Sequence, residues 1–299
     1  MTGWVDAISG TPEGHVVAMG LALLAAVSHA VFGALQKGRH DPWLSRGAID
    51  ISYGLMALPV ALFVVPWPQG EAWAILAGAE VIHLGYKLAQ ASAYSRGDFT
   101  VVYPIVRGTG PLVTVAAAGL LFGERYSGVQ WGGVMLLSGA IFALALVNLA
   151  RPGRDRAPPV GTLGWALLTG VFVAAYTTYD AFGIRATPDP FTFLAWFFMI
   201  DGLVFPWIAL WRYRRMLAPP EPLPLMLRGV TGGLVAFVSF GGVMLATRID
   251  RVGQAAVLRE TSVVFAALIG WAFLGERVGM RRASLAVLIA LGAVVVEFG

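Results

Sequence analysis

The chain has 299 residues, 58% of them hydrophobic and only 13% charged, with a formal net charge of +4. A soluble domain is nearer half apolar and a quarter charged, so composition argues against a soluble globule. The absence of cysteine excludes disulfides, Cys-ligated zinc and iron–sulfur clusters, and the cations are scattered among loops rather than gathered on a basic face, which argues against nucleic acid as a partner.

Ten mostly apolar runs lie near 16–36, 47–66, 72–93, 99–121, 129–149, 162–184, 190–211, 226–247, 253–273 and 283–298. A bilayer core of roughly 30 Å is crossed by about 20 helical residues, which each run supplies. The expected fold is an all-α integral membrane protein of ten transmembrane helices. No Lys or Arg occurs in the first fourteen residues, so a signal-peptide n-region is missing and the first run is expected to stay.

The first run places His29, Gly33 and Gln36 on one face, and the second holds a lone carboxylate, Asp50, expected to be structural. In the third, Glu80, His83, Lys87, Gln90 and Tyr94 are spaced three or four apart and share one helix face, with Tyr86 close by. The fourth contains YPIVRGTGP, where Tyr103, Arg107, Gly110 and Thr114 align. Pro104 and Pro111 remove backbone donors there, and Gly108 and Gly110 loosen the turns, so a broken helix with free backbone groups is expected. The fifth run has Gly132, Gly133, Gly139 and Ala140; the tenth has Ala283, Ala286, Ala290 and Gly292. Such small residues allow close helix contact, with each other or with a second subunit.

The sixth run aligns Thr169, Tyr176 and Asp180, with Tyr179 adjacent. In the seventh, the aromatics of AWFFMIDGLVFPW are expected at the lipid or interface, and Asp201 in a structural role. The ninth holds Arg259 and Glu260, neighbours whose side chains diverge on a helix, so Glu260 is expected to meet another helix rather than Arg259.

The sequence repeats itself. SRGDFTVVYPIVRGTGPLVTVAAAGLLFGER, ending at Arg125, matches TRIDRVGQAAVLRETSVVFAALIGWAFLGER, ending at Arg277. At this offset Arg107 lies on Arg259, Asp98 on Asp250, Thr109 on Thr261 and Gly123-Glu124-Arg125 on Gly275-Glu276-Arg277. The expected organisation is a first five-helix repeat over 1–150, a linker over 151–161 (RPGRDRAPPVG) and a second repeat over 162–299. Five is odd, so the halves enter the membrane from opposite sides, the inverted topology of many secondary transporters.

With the FGER and LGER helix ends, the RGD-x-x-x-x-YPI-x-RG-x-GP segment and the RETS segment, the whole chain resembles the drug/metabolite transporter superfamily, EamA type. The resemblance implies a ten-helix carrier of a small solute. Relatives export amino acids, carry sugar phosphates or nucleotide sugars, or take up small metabolites. The motifs H-E-x-x-H, G-x-S-x-G and D-D-x-x-D are absent, so no enzyme is expected.

If the connection between the first two runs is counted as odd, the odd loops carry 14 cations and the even loops 4. This charge bias places odd loops in the cytoplasm and both termini outside a cell (inner) membrane. The superfamily is usually drawn with both termini in the cytoplasm; the charges of this chain point the other way. Lys87, Arg107 and Arg259 remain, all within apolar runs.

Charges inside spans are costly, so the polar stripes are expected to line a central, water-accessible cavity. Arg107, Arg259 and Lys87 are suited to an anionic group. Tyr86, Tyr103, Tyr176, Tyr179, Gln90 and His83 would complete the substrate site, and Glu80, Asp180 and Glu260 are candidate proton carriers. The expected function is a secondary transporter, working by alternating access, for a small organic metabolite bearing a carboxylate or phosphate. The alternative is a proton-coupled amine or drug exporter with structural arginines, or an amino-acid exporter with the ammonium on Glu80 or Asp180. No metal or cofactor is implied; the expected partners are the solute, the bilayer and a proton or counter-solute, for a monomer or homodimer.

Overall fold

The computed structural model describes residues 3–36, 41–150, 160–274 and 279–299. Among them every regular element is a helix: α1 (Gly3–Ile8), α2 (Pro12–Gln36), α3 (Pro42–Phe63), α4 (Ala72–Arg96), α5 (Phe99–Phe122), α6 (Gly128–Leu149), α7 (Val160–Ala186), α8 (Pro190–Arg214), α9 (Pro222–Ile249), α10 (Val252–Glu260), α11 (Ser262–Leu274) and α12 (Met280–Phe298). Eight segments are long and apolar enough to cross a membrane: most of α2, then α3, α5 to α9 and the stretch Val252–Ile269. The two predicted spans outside that set, α4 and α12, are the more polar ones. The linker residues 151–159, the LGER motif at 275–277 and the side chain of Gln36 lie outside the described residues.

Helix starts follow local chemistry. Asp41 accepts hydrogen bonds from the Trp43 and Leu44 amides, and Pro42 occupies the first turn, so α3 begins five residues before the predicted run. This moves Arg46 out of a loop and into the helix interior, where it is buried. Arg96, Arg212, Arg214, Arg228, Arg281 and Arg282, also counted to the odd loops, likewise lie within helices. Ser127 and Gln130 form a reciprocal capping box at the start of α6. Gly123, at φ +68°, ends α5 in a left-handed turn that a side chain would disfavour.

The expected break in α5 is absent. Pro104 and Pro111 sit inside a continuous helix, and Gly108 and Gly110 do not interrupt it. The Thr100 carbonyl, which a residue-104 amide would normally bond, instead accepts from Asn148 Nδ2 of α6 at 2.7 Å. The break occurs in the matching helix of the second half, between α10 and α11 at Thr261. There the Thr261 hydroxyl and amide both donate to the Leu258 carbonyl, at 2.6 and 3.1 Å, tightening the turn. A threonine hydroxyl competing for backbone acceptors is a local reason for the interruption.

The helix pairings map onto themselves when the halves are exchanged. The α2–α9 contact corresponds to α7–α4, and α5–α7 corresponds to the α10 and α11 contacts with α2; α3–α8 and α6–α12 correspond to themselves. Glycines permit the closest of these approaches. A Cβ on Gly133 would lie 2.8 Å from the Gly292 carbonyl oxygen, and one on Gly202 2.6 Å from the Gly54 Cα. Of the small residues singled out on α6 and α12, Gly133 and Gly292 thus meet each other within one chain, whereas Gly132 and Gly139 face open space.

One aromatic expectation is corrected. Trp196, Phe197 and Phe198 of α8 are buried, whereas Trp207 and Trp211 are exposed. Trp196 packs edge-on against Trp67 and Trp73, and Phe198 against Tyr53, so the first half of α8 faces protein.

Candidate functional site

Two buried charge clusters occupy the centre of the helix assembly. The first joins α3, α4, α7 and α8. Lys87 Nζ contacts Asp50 Oδ2 at 2.9 Å, Asp201 Oδ1 at 2.8 Å and the Asp201 carbonyl at 2.7 Å. The carbonyl contact is a hydrogen bond and the two carboxylate contacts are ion pairs. Arg46 Nε pairs with Asp50 Oδ1 at 2.7 Å, one turn away on α3. Tyr53 donates its hydroxyl to Asp201. His83 bridges this cluster to α7, with Nε2 2.9 Å from Asp180 Oδ2 and Nδ1 3.8 Å from Asp201 Oδ1.

The second cluster joins α5, α7 and α10. Arg107 Nε lies 2.7 Å from Glu260 Oε2, and its Nη2 donates to Ser262 Oγ at 3.0 Å and to the Arg259 carbonyl at 3.5 Å. The repeat-matched arginines therefore meet directly. Glu260 Oε1 also lies 3.7 Å from Arg259 Nη2, so these neighbours do interact, contrary to expectation. Glu260 ends α10, where the helix stops. Its carboxylate is committed to two guanidinium groups, which does not suit it to carrying protons.

Tyr176 stands between the clusters. Its ring lies 4.6 Å from His83, 4.9 Å from Tyr86 and 6.0 Å from Phe240, and the Arg259 guanidinium carbon sits 5.8 Å from its centroid. Beside it is a small cavity of about 10 Å³ lined by Tyr176, Thr177, Asp180, Phe240, Met244 and Arg259, among others. That volume holds about one water, so this pocket has no room for a solute in this conformation. Three lining atoms are buried without a hydrogen-bond partner: Arg259 Nε, Asp180 Oδ1 and the Tyr176 hydroxyl. A roomier groove of about 410 Å³ lies between α3, α8 and α9, but its lining, including Leu44, Ile51, Trp207, Leu210 and Met226, is almost wholly apolar. It offers a polar solute no charge, so chemistry favours the smaller site.

The predicted site residues separate into groups. His83, Tyr86, Tyr176, Asp180 and Arg259 converge. Tyr103 lies beside Arg107, whose guanidinium carbon is 5.8 Å from its ring centroid. Gln90 Nε2 donates to the Tyr86 hydroxyl at 2.5 Å. Lys87 is not available to a solute anion: it is fully buried, ion-paired with Asp50 and Asp201 and hydrogen-bonded to the Asp201 carbonyl. Tyr179 points elsewhere; its hydroxyl abuts Gly78 on α4 and its ring Phe182. His29 is buried, 3.3 Å from Ser239 Oγ. Sequence reasoning missed Tyr53, read Arg46 as a loop cation, and named Asp50 and Asp201 for structural roles without finding their partners. Carboxylates within apolar spans were the available signal, because such groups need partners.

The family model of the EamA-like transporter family matches residues 161–298. A solved structure, titled only "Crystal structure of protein", is 17% identical with a TM-score of 0.74, covering 95% of this chain and 96% of its own. At that identity the likeness shows the fold. No curated protein matches.

Proposed function

We propose that this chain, whose residues 161–298 match the EamA-like transporter family, is a membrane transporter of small molecules, and that it moves a zwitterion bearing both a carboxylate and an ammonium group, as an amino acid does. The observation that carries the reading is the pairing of Arg259 Nε with Asp180 Oδ1. Both are buried, both lack a hydrogen-bond partner, and both line one cavity. Arg259 would hold the carboxylate, Asp180 the ammonium, and the Tyr176 hydroxyl either group; Phe240 and Met244 would meet an apolar side chain. A purely anionic solute is less well served, because Lys87 and Glu260-bound Arg107 already have their counter-charges.

The mechanism is alternating access by two inverted five-helix halves, 1–150 and 162–299, rocking about this site. Interrupted helices near the membrane middle place backbone and charged groups at such sites, and the α10–α11 break directly follows Arg259 and Glu260. The loop charges favour an orientation with both termini outside a cell (inner) membrane.

Thermal unfolding of the purified protein tests this reading with matched ligands: an amino acid, its decarboxylated amine and its deaminated acid. Stabilisation should require both charged groups and disappear in Asp180→Asn and Arg259→Lys. Equal stabilisation by the acid alone, unaffected by Asp180→Asn, would return the assignment to an anion carrier.

A further inference from the structure

The FGER motif takes no part in the two charge clusters. Its glutamate, Glu124, lies just beyond the end of α5, on the face that carries the even loops. From there it reaches across to the second half. Glu124 Oε1 accepts from the Val252 amide at 2.7 Å and Oε2 from the Gly253 amide at 3.2 Å, the first two amides of α10. A carboxylate suits this position, because the first amides of a helix lack partners within it and carry partial positive charge. Tyr126 donates to the same carboxylate. A Cβ on Gly253 would collide with the Tyr126 hydroxyl, so glycine at that position lets the loop seat on the helix start.

Three more contacts join the halves on this face. His15 of α2 lies 2.6 Å from Asp250 Oδ2 and 3.3 Å from Glu297 Oε1. Asp6 of α1 pairs with Arg248 at 2.7 Å, and the Gly10 amide donates to the Ile249 carbonyl at 3.1 Å. Within the second half, Arg185 donates to the Thr247 and Asp250 carbonyls, and Arg248 to those of Ile184 and Arg185. The ends of α7 and α9 are thereby tied into one unit, which the first half grips.

The helix α10 is built to transmit that grip. It has nine residues, all buried. Glu124 holds its start, and Arg259 stands near its other end, about 10 Å away at 1.5 Å per residue. The chain is interrupted at Thr261 before α11, so α10 can tilt without carrying α11 with it. In the first half the matching stretch of α5 is unbroken. The Arg259 cavity, lined also by Thr247 near the end of α9, lies directly beneath this face.

We infer that α10 is a gate helix of the even-loop face. Glu124 latches its start to the first half, Thr261 is its joint, and release of the latch opens the Arg259 cavity to that side and shifts Arg259 with it. The inference rests on the alternating-access reading but not on the identity of the solute.

The test is the rate at which a water-soluble thiol reagent labels the purified, solute-free protein carrying Met244→Cys, a cavity-lining position in a cysteine-free chain. Glu124→Ala should raise that rate roughly tenfold or more, the scale of losing charge-assisted hydrogen bonds. Gly253→Ala, which displaces Tyr126 but keeps the carboxylate, should act in the same direction. Glu124→Gln, which keeps one acceptor, should act less strongly. Glu13→Ala, at an exposed acid of α2 outside these contacts, should leave the rate unchanged. Ile289→Cys, buried on α12 away from the cavity lining, should stay unlabelled in every variant, which separates opening from unfolding. An unchanged rate at 244 in both Glu124→Ala and Gly253→Ala would overturn the gate. So would labelling at 289 that accelerates as much as at 244 in all three variants, because the contacts would then hold the fold rather than a gate. Wild-type counterflow distinguishes the two failures: exchange with unmoved labelling overturns the gate alone, and no exchange overturns the alternating-access reading.

Discussion

Lys87 shows how far one buried charge depends on its neighbours. Removing one member of a buried ion pair leaves the other uncompensated and costs about 3–5 kcal/mol. Lys87→Met would take the cation from Asp201 and leave Asp50 with Arg46 alone, so it should lower the unfolding temperature in detergent more than Arg107→Met, after which Glu260 keeps the more distant Arg259. Adding Glu260→Gln to Arg107→Met should recover part of the loss, because the orphaned charge is then removed. Full additivity of the two losses would show that the pair is not coupled. The α4 stripe of Glu80, His83 and Lys87 was legible in the sequence because helical spacing aligned it. Asp50 and Asp201 were not, because each sits in an apolar run without a periodic series. Arg46, the local partner of Asp50, was hidden by a helix start read five residues too late. The convergence of Arg107 and Arg259 was legible from the repeat, but their capture of Glu260 depends on where the helix breaks.

At the scale of the helix, proline alone did not locate that break. The carbonyl freed by Pro104 is satisfied by Asn148, which keeps α5 continuous, while an unremarked threonine interrupts its counterpart. An unsatisfied buried acceptor costs roughly 1–3 kcal/mol, so Asn148→Leu should destabilise the protein by about that amount. Pro104→Ala should reduce the cost by restoring the backbone donor, although Asn148 also accepts from Arg282. Unfolding curves of the single and double variants check this; an equal loss with and without Pro104 would contradict it. The glycine seam makes a second prediction. Gly292→Val would drive its Cβ to within 2.8 Å of the Gly133 carbonyl oxygen and the Leu137 backbone. Overpacking of this kind costs typically 1–3 kcal/mol, visible as a lower unfolding temperature, whereas Gly132→Val, where a Cβ meets nothing within 4 Å, should be tolerated.

For the whole molecule, hydrophobic run length was sufficient to find every long helical segment, since the bilayer dictates that length. The pairing of the central charges was not legible, because composition records which side chains are polar but not how they pair. Orientation is open to direct measurement in this cysteine-free chain. Gln69→Cys lies in an even loop and Leu217→Cys in an odd one, both at exposed positions. In whole cells a membrane-impermeant thiol reagent should label the first and spare the second; the reverse pattern would place the termini in the cytoplasm. The central claim is that one small solute is carried by its two opposite charges together. Counterflow in reconstituted vesicles tests it most directly, using a radiolabelled amino acid outside and, in turn, the same amino acid, its amine or its acid inside. The account predicts exchange only against the intact amino acid, abolished by Asp180→Asn. Exchange driven equally by the acid alone, and unchanged in that variant, would contradict it.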